Sequence, residues 1–496
     1  MGLIARQTIK ASAASYIGVA LGTFTLLFLF PAYLSQDQIG LLRIVLNAAG
    51  MFSTLAVLGI PQVSVKYFPY IQDKDAYRAY ATLLYVVSAI GVVLFYLIFL
   101  VFETPVTRFY ARNARELTEY YYLVWIITAI NTLYITAASY ARMNQRIVVP
   151  SAIKDVGVRV MTILFFLGII FRWYEFDVFL NLQIVIYLLA LAAVLWYNHR
   201  LVPFRPSADF SRLKSLLNGV VSFGLFSVLT STASIVVTTI DSLMIGGMIN
   251  LGDAGIYVIA SYIGLVIEMP KRSLNAIVGP LLSESWKNQD IQTINHVHSR
   301  SALNQIIFGG GLLLLIWAAI DGIFYLMPNG EVYASGKYVV LFIGLAKLTD
   351  LAFGLTAEII SFSPKYRYNL FLLLLLASIA VVSNYLLIPV YGITGAGLAT
   401  LISYIVYNLL SYWLMKRDYG VTPFNHKTAK AFALVGVTFL VLHLIRADIH
   451  VLVISAIRVV LAAALLIGGV IYLGLSADFG QLFEQTRKFF QKFTKK

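Results

Sequence analysis

The 496-residue chain contains no cysteine, which excludes disulfides, thiolate chemistry and cysteine-rich zinc sites. Charge is scarce. Asp, Glu, Lys and Arg together make up only 12% of the residues, about half the share of a soluble domain. The six histidines are scattered, with only His296 and His298 close together, so no metal-ligand spacing is present. Long polar stretches are also missing. The longest expected loop, from about Lys271 to Arg300, leaves no room for a soluble catalytic domain. A membrane glycosyltransferase or polymerase would need a loop with acidic or histidine chemistry, and none is found, so the chain does not read as an enzyme.

What fills the chain is apolar: 60% of residues are hydrophobic and the mean hydropathy is +0.82. Spanning a bilayer takes roughly 20 apolar residues per helix. Runs of that size begin near Ala11, Leu41, Ala81, Tyr120, Ile147, Val178, Leu216, Ala254, Ala302, Tyr338, Asn369, Ile393, Ala431 and Val451. The pattern predicts an all-α integral membrane protein of about fourteen transmembrane helices; alternating strands of barrel type are not seen. The first run, Ala11 to Phe30, is too long for a signal-peptide core and is expected as a retained helix ending at Pro31.

A net charge of +14 could suggest nucleic acid, but the basic residues sit in short loops and form no basic domain. Their distribution sets orientation instead. With the N-terminus inside, twenty-six of the 37 Lys and Arg fall on the cytoplasmic side and six on the other. Both termini are therefore expected in the cytoplasm, which requires an even number of spans.

A weak internal duplication, offset by about 215 residues, relates Gln38-Ile39-Gly40-Leu41 to Asp253-Ala254-Gly255-Ile256. Six helices per half would make the repeats parallel, with a cavity expected between them; chance similarity among apolar segments remains the alternative. The expected organisation is a six-helix lobe over 1–210, a second over 211–420, a helix pair over 421–475 and a tail over 476–496.

At Asp241-Ser242-Leu243-Met244-Ile245-Gly246 and Gly255-Ile256-Tyr257-Val258-Ile259-Ala260 the sequence resembles the polysaccharide-exporter branch of the MOP flippase superfamily. Asn384-Tyr385-Leu386-Leu387-Ile388-Pro389-Val390-Tyr391-Gly392, Gly40-Leu41-Leu42-Arg43 and Gly59-Ile60-Pro61 carry the same likeness. The resemblance implies a Wzx-type flippase of a bacterial inner membrane. Such a protein moves undecaprenyl-diphosphate oligosaccharides, such as O-antigen units of lipopolysaccharide, by alternating access, with polysaccharide polymerase machinery as a partner. The extra helix pair is similar to that of lipid II flippases, but the first run lacks their intramembrane charges. A multidrug/cation antiporter of the same superfamily is the other alternative, and would call for an acid-rich cavity and twelve helices. No cofactor is implied beyond coupling to sodium, protons or membrane potential.

Moving a diphosphate through hydrocarbon requires fixed cations in a wet cavity. A charge at mid-helix costs about 2.5–3.5 kcal/mol on insertion scales, so such residues face an interior. The diphosphate candidates are Arg159, Lys154, Arg43 and Lys347. Arginine suits the task because its planar fork pairs two phosphate oxygens. Arg159 reads either as a cavity cation or as the i+4 neutraliser of Asp155. Arg43 reads as a binding residue or a snorkelling one. Asp241, Glu268, Asp350 and Glu358 are the candidates for ion coupling. Against that, Asp241 could cap a helix end, Glu268 could pair with Lys271 or Arg272, and Lys347 could pair with Asp350. Arg458 has no carboxylate nearby in sequence. Asn47, Asn131, Asn275 and Asn384 are candidate sugar contacts, or interhelical hydrogen-bond glue.

After Ser476, Phe479, Leu482, Phe483, Phe489, Phe490 and Phe493 fall on one helical face, with Arg487, Lys488 and three further lysines beside them. This predicts an amphipathic helix on anionic cytoplasmic lipid.

Overall fold

The computed structural model describes residues 3–71, 73–445, 447 and 449–475. The tail expected over 476–496 lies outside the described residues, as do the side chains of Arg272 and Asn275. Among the described residues the chain is helical with no strand, and it divides into two compact units, Met1–Val258 and Ile259–Lys496.

In the first unit, α1 (Leu3–Phe24) passes through a π turn (Thr25–Leu29) and ends at Tyr33. Pro31 therefore does not end it. Widening the turn lets Phe30 N–H reach the Thr25 carbonyl, and the helix absorbs a residue that can donate nothing. A capping box of Ser35 and Gln38 starts α2 (Gln36–Ala56), and the Asp73 side chain caps α3 (Lys74–Ala111). There follow α4 (Tyr121–Met143), an interrupted α5 over 148–170, α6 (Phe176–Leu201), α7 (Lys214–Met248) and α8 (Leu251–Leu265), which crosses into the second unit.

The outward face of α3 carries Ile90, Val93, Leu97, Ile98, Val101 and Phe102, each at least half exposed, which is the surface of a helix solvated by lipid. Inward faces are small or hydrogen-bonded. A Cβ on Gly40 would fall 1.9 Å from the Leu251 carbonyl oxygen, so α2 and the start of α8 touch backbone to backbone. Asn131 donates to Ser53 at 2.7 Å, Thr136 to Ser88 at 2.9 Å and Asn198 to the Ala137 carbonyl at 2.8 Å.

The second unit contains α9 (Met269–Lys287), α10 (Ile291–Leu326), α11 (Lys337–Ala352), the short α12 (Thr356–Phe362), α13 (Arg367–Tyr419), α14 (His426–Leu444) and α15 (Val451–Tyr472). Asp290 caps α10; the Thr293 hydroxyl and backbone amide that bond it hold its carboxyl below the usual range. Ile267, Leu313, Leu314, Leu348, Leu351, Val435, Ala462 and Leu466 form one core, so α14 and α15 are built into this unit around α10 and α11.

Among the described residues, twelve helices are long and apolar enough to cross a membrane, against about fourteen expected. The difference lies in two places. The 53-residue α13 bends at Gly392 (φ 59°, ψ −141°), where only glycine is comfortable, so one recorded helix holds the eleventh and twelfth apolar runs. Residues 148–170 hold the fifth run, interrupted by a π turn at Ile153–Gly157.

Candidate functional site

Among the described residues, two clusters of charge within the helices gather sequence candidates, one in each unit. In the first, α1 crosses α5 at Gly18. A Cβ there would lie 2.4 Å from the Asp155 carbonyl oxygen and 3.0 Å from Arg159 Nη1. The π turn of α5 lies at this crossing and carries Lys154 and Asp155. Turns of this kind re-aim side chains and recur at functional sites. Ser15 of α1 donates to Asp155 Oδ2 at 2.6 Å. Asp155 is thus held by a hydroxyl on another helix, and among the described residues no ion pair joins it to Arg159. Arg159 Nη1 is buried with no hydrogen-bond partner among the described residues. Lys154 is exposed and within electrostatic reach of both Asp155 and Arg142 of α4. Lys154 and Arg159 thus stand beside a carboxylate that is already occupied, with Arg142 within electrostatic reach of Lys154.

The second cluster is a ladder. Glu268 and Lys271 stand three residues apart at the junction of α8 and α9; Lys347 and Asp350 stand three apart on α11. The pairing runs across rather than along the helices. Lys347 Nζ lies 2.8 Å from Glu268 Oε2, and Lys271 Nζ lies 2.6 Å from Asp350 Oδ2. The Glu268–Lys271 and Lys347–Asp350 pairings expected from spacing are thus replaced by pairings across helices, while Arg272, the other expected partner of Glu268, lies outside the described side chains. Lys347 is 5% exposed and also donates to Tyr404 of α13 at 2.8 Å. Glu358 lies on α12, separated from the helix of Lys347 by a break at Gly354 (φ 62°), and within electrostatic reach of Lys271. Tyr407 completes the cluster. If all ionise, three carboxylates face two ammonium groups. The balance of charge is acidic, the opposite of what a diphosphate needs.

The remaining candidates are dispersed. Arg43 sits in the interior of α2, half-buried, within electrostatic reach of Tyr187 on α6. Asp241 does not cap a helix end: it is 5% exposed inside α7 and accepts a hydrogen bond from Tyr257. Asn47 donates to Ser242 at 3.0 Å and Asn131 to Ser53, both between helices, and Asn384 is fully buried. Arg458, without a partner in sequence, meets Asp321 of α10 at 3.3 Å. Ser15, Gly18, Tyr404 and Asp321 were not foreseen. Nothing in a chain with 31 tyrosines marks Tyr404, and the other three matter only through helix crossings.

Residues 6–286 match the family described as polysaccharide biosynthesis protein. An uncharacterised membrane protein of Methanocaldococcus jannaschii is 22% identical over 427 residues, covering 81% of this chain and 82% of its own. The inward closed structure of the lipid II flippase MurJ aligns at a TM-score of 0.71 and 12% identity, covering 94% of this chain and 98% of that one. An inward-facing multidrug resistance MATE family transporter of the MOP superfamily aligns at 0.61 and 13% identity, covering 82% and 94%. At these identities the structural likeness shows the fold.

Proposed function

The chain belongs to the polysaccharide biosynthesis protein family, and we propose that it is a multi-pass membrane flippase that translocates a lipid-linked oligosaccharide. The cargo in this reading is an undecaprenyl-diphosphate-linked repeat unit, of O-antigen or another polysaccharide, carried across the inner membrane by alternating access of lobes 1–210 and 211–420. Both termini lie in the cytoplasm, as the Lys and Arg bias indicates.

The observation that carries the reading is the cationic crossing of α1 and α5. Arg159 Nη1 is buried there with no partner among the described residues, and Lys154 and Arg142 stand nearby. A diphosphate offers what those cations lack, several acceptor oxygens in fork geometry. The sugar travels in water and the polyprenyl tail stays in lipid. The Glu268–Lys347 and Lys271–Asp350 ladder is assigned to coupling, with sodium, protons or membrane potential as the driving force. A cation exporter would place its surplus of carboxylates where the cargo sits, and the α1–α5 crossing has the opposite sign.

The test is complementation. A strain lacking its own flippase, supplied with this chain, should display the lipid-linked glycan at its surface. Failure with well-expressed protein, across strains making different repeat units, would refute the assignment of cargo.

A further inference from the structure

Where α10 and α14 end and α11 and α15 begin, the second unit encloses a cavity of about 190 Å³. Its polar lining is Asp321, Lys337, His443 and Arg458, and its aromatic wall is Trp317 and Tyr338. None of these residues takes part in the clusters described above.

Asp321 is shared. Lys337 Nζ lies 2.5 Å from its Oδ1 and Arg458 Nη1 lies 3.3 Å from its Oδ2. Arg458 Nη2 donates to the Ile445 carbonyl at 2.7 Å, while Nε is buried with no partner among the described residues. Lys337 also sits 5.3 Å from the centre of the Trp317 ring and has donors to spare. Two cationic side chains thus converge on one carboxylate, and donors on both remain open. The surroundings point to a membrane interface. Tyr338 and Tyr325 are 56% and 57% exposed, and such aromatics gather at headgroup level.

We propose that this cavity binds the phosphate of a lipid headgroup, at the end of the helices that the charge bias assigns to the periplasm. A phosphate can take the open Arg458 Nε–H and the spare Lys337 protons while Asp321 keeps both side chains aimed inward. Acyl or polyprenyl chain then runs down the apolar face beside the aromatic wall. A phospholipid and a polyprenyl diphosphate both offer this chemistry, and the binding does not depend on the chain being a flippase.

The test uses the full-length protein in detergent, with retained lipid measured by native mass spectrometry. The probes are phosphatidylglycerol and undecaprenyl diphosphate, each beside its phosphate-free counterpart, diacylglycerol and undecaprenol. Wild type should retain a phosphate-bearing probe and neither counterpart. Preference for phosphatidylglycerol would identify a bilayer lipid, and preference for the diphosphate would identify the carrier. The double variant K337Q/R458Q should lose retention at least tenfold. Asp321→Asn should raise it several-fold, because the competing carboxylate is gone while both cations remain. Equal retention of phosphate-free lipid, or unchanged retention in the double variant, would overturn the proposal. Should that variant fail to fold, an Asp321→Asn protein with no gain would do the same.

Discussion

Glu268 holds Lys347 at 2.8 Å across two helices, although each has an oppositely charged neighbour one helical turn away in its own segment. The mesh follows from geometry. Residues three apart on a helix share a face, so Glu268–Lys271 and Lys347–Asp350 present two parallel charged edges. Packed against each other in the same order, each cation meets the carboxylate of the other edge. The arrangement ties the α8–α9 junction to α11 and, through Tyr404, to α13.

Breaking that tie on one side should be costly. Glu268→Gln leaves the Lys347 ammonium buried with only the Tyr404 hydroxyl, and removing one partner of a buried pair costs about 3–5 kcal/mol. Glu268→Gln/Lys347→Met should recover most of it, since no uncompensated charge remains. The fraction of protein staying monodisperse after a heating series in detergent reads both. If the single variant is as stable as wild type, the pair does not hold the helices together.

The ladder also marks the limit of what the sequence discloses. Apolar runs and turn residues locate the spans, because each must satisfy its own backbone in lipid and that demand is written locally. The Asp350 partner of Lys271 and the Asp321 partner of Arg458 are fixed by which helices pack together, and hydropathy carries no such information. Arg159 could be singled out as a charge within an apolar run. That Ser15 rather than Arg159 engages Asp155 depends on α1 crossing at Gly18, which no spacing foretells. Gly392 was legible only as part of a motif; its backbone shows a kink within α13.

Two glycines of α2 should respond in opposite ways to the same change. Gly40→Ala drives a methyl group into the Leu251 carbonyl, a backbone atom that cannot rotate aside, and overpacking costs about 1–3 kcal/mol. Gly50 has nothing within 4 Å of an added Cβ, so Gly50→Ala should leave stability unchanged or raise it by about 0.4–1 kcal/mol. The same heating series compares them. Equal behaviour would mean that α2 and α8 do not touch at Gly40.

Topology can be read by labelling, since the chain has no native cysteine. Tyr391 is 59% exposed beside the Gly392 bend and is expected outside; Lys287, exposed at the end of α9, is expected inside. An impermeant maleimide added to intact cells should label Tyr391→Cys and spare Lys287→Cys until the membrane is permeabilised. The reverse pattern would invert the orientation and move the Lys337–Arg458 cavity to the cytoplasmic face.

Arg159 decides the mechanism. If its guanidinium meets the diphosphate, Arg159→Ala should abolish surface display of the glycan while membrane abundance stays normal. Arg159→Lys should keep only part of the activity, because a point charge replaces a two-pronged donor. Were Arg159 merely the neutraliser of Asp155, removing both charges would restore function, as both members of a pair would be gone. The geometry argues otherwise: Ser15 already engages Asp155 at 2.6 Å, and Arg159 Nη1 has no partner among the described residues. Asp155→Ala/Arg159→Ala should therefore remain inactive at normal abundance. Recovery by the double variant would return Arg159 to the scaffold. Continued inactivity, with Arg159→Lys in between, leaves the cationic crossing of α1 and α5 as the place where the anionic headgroup is held within the bilayer.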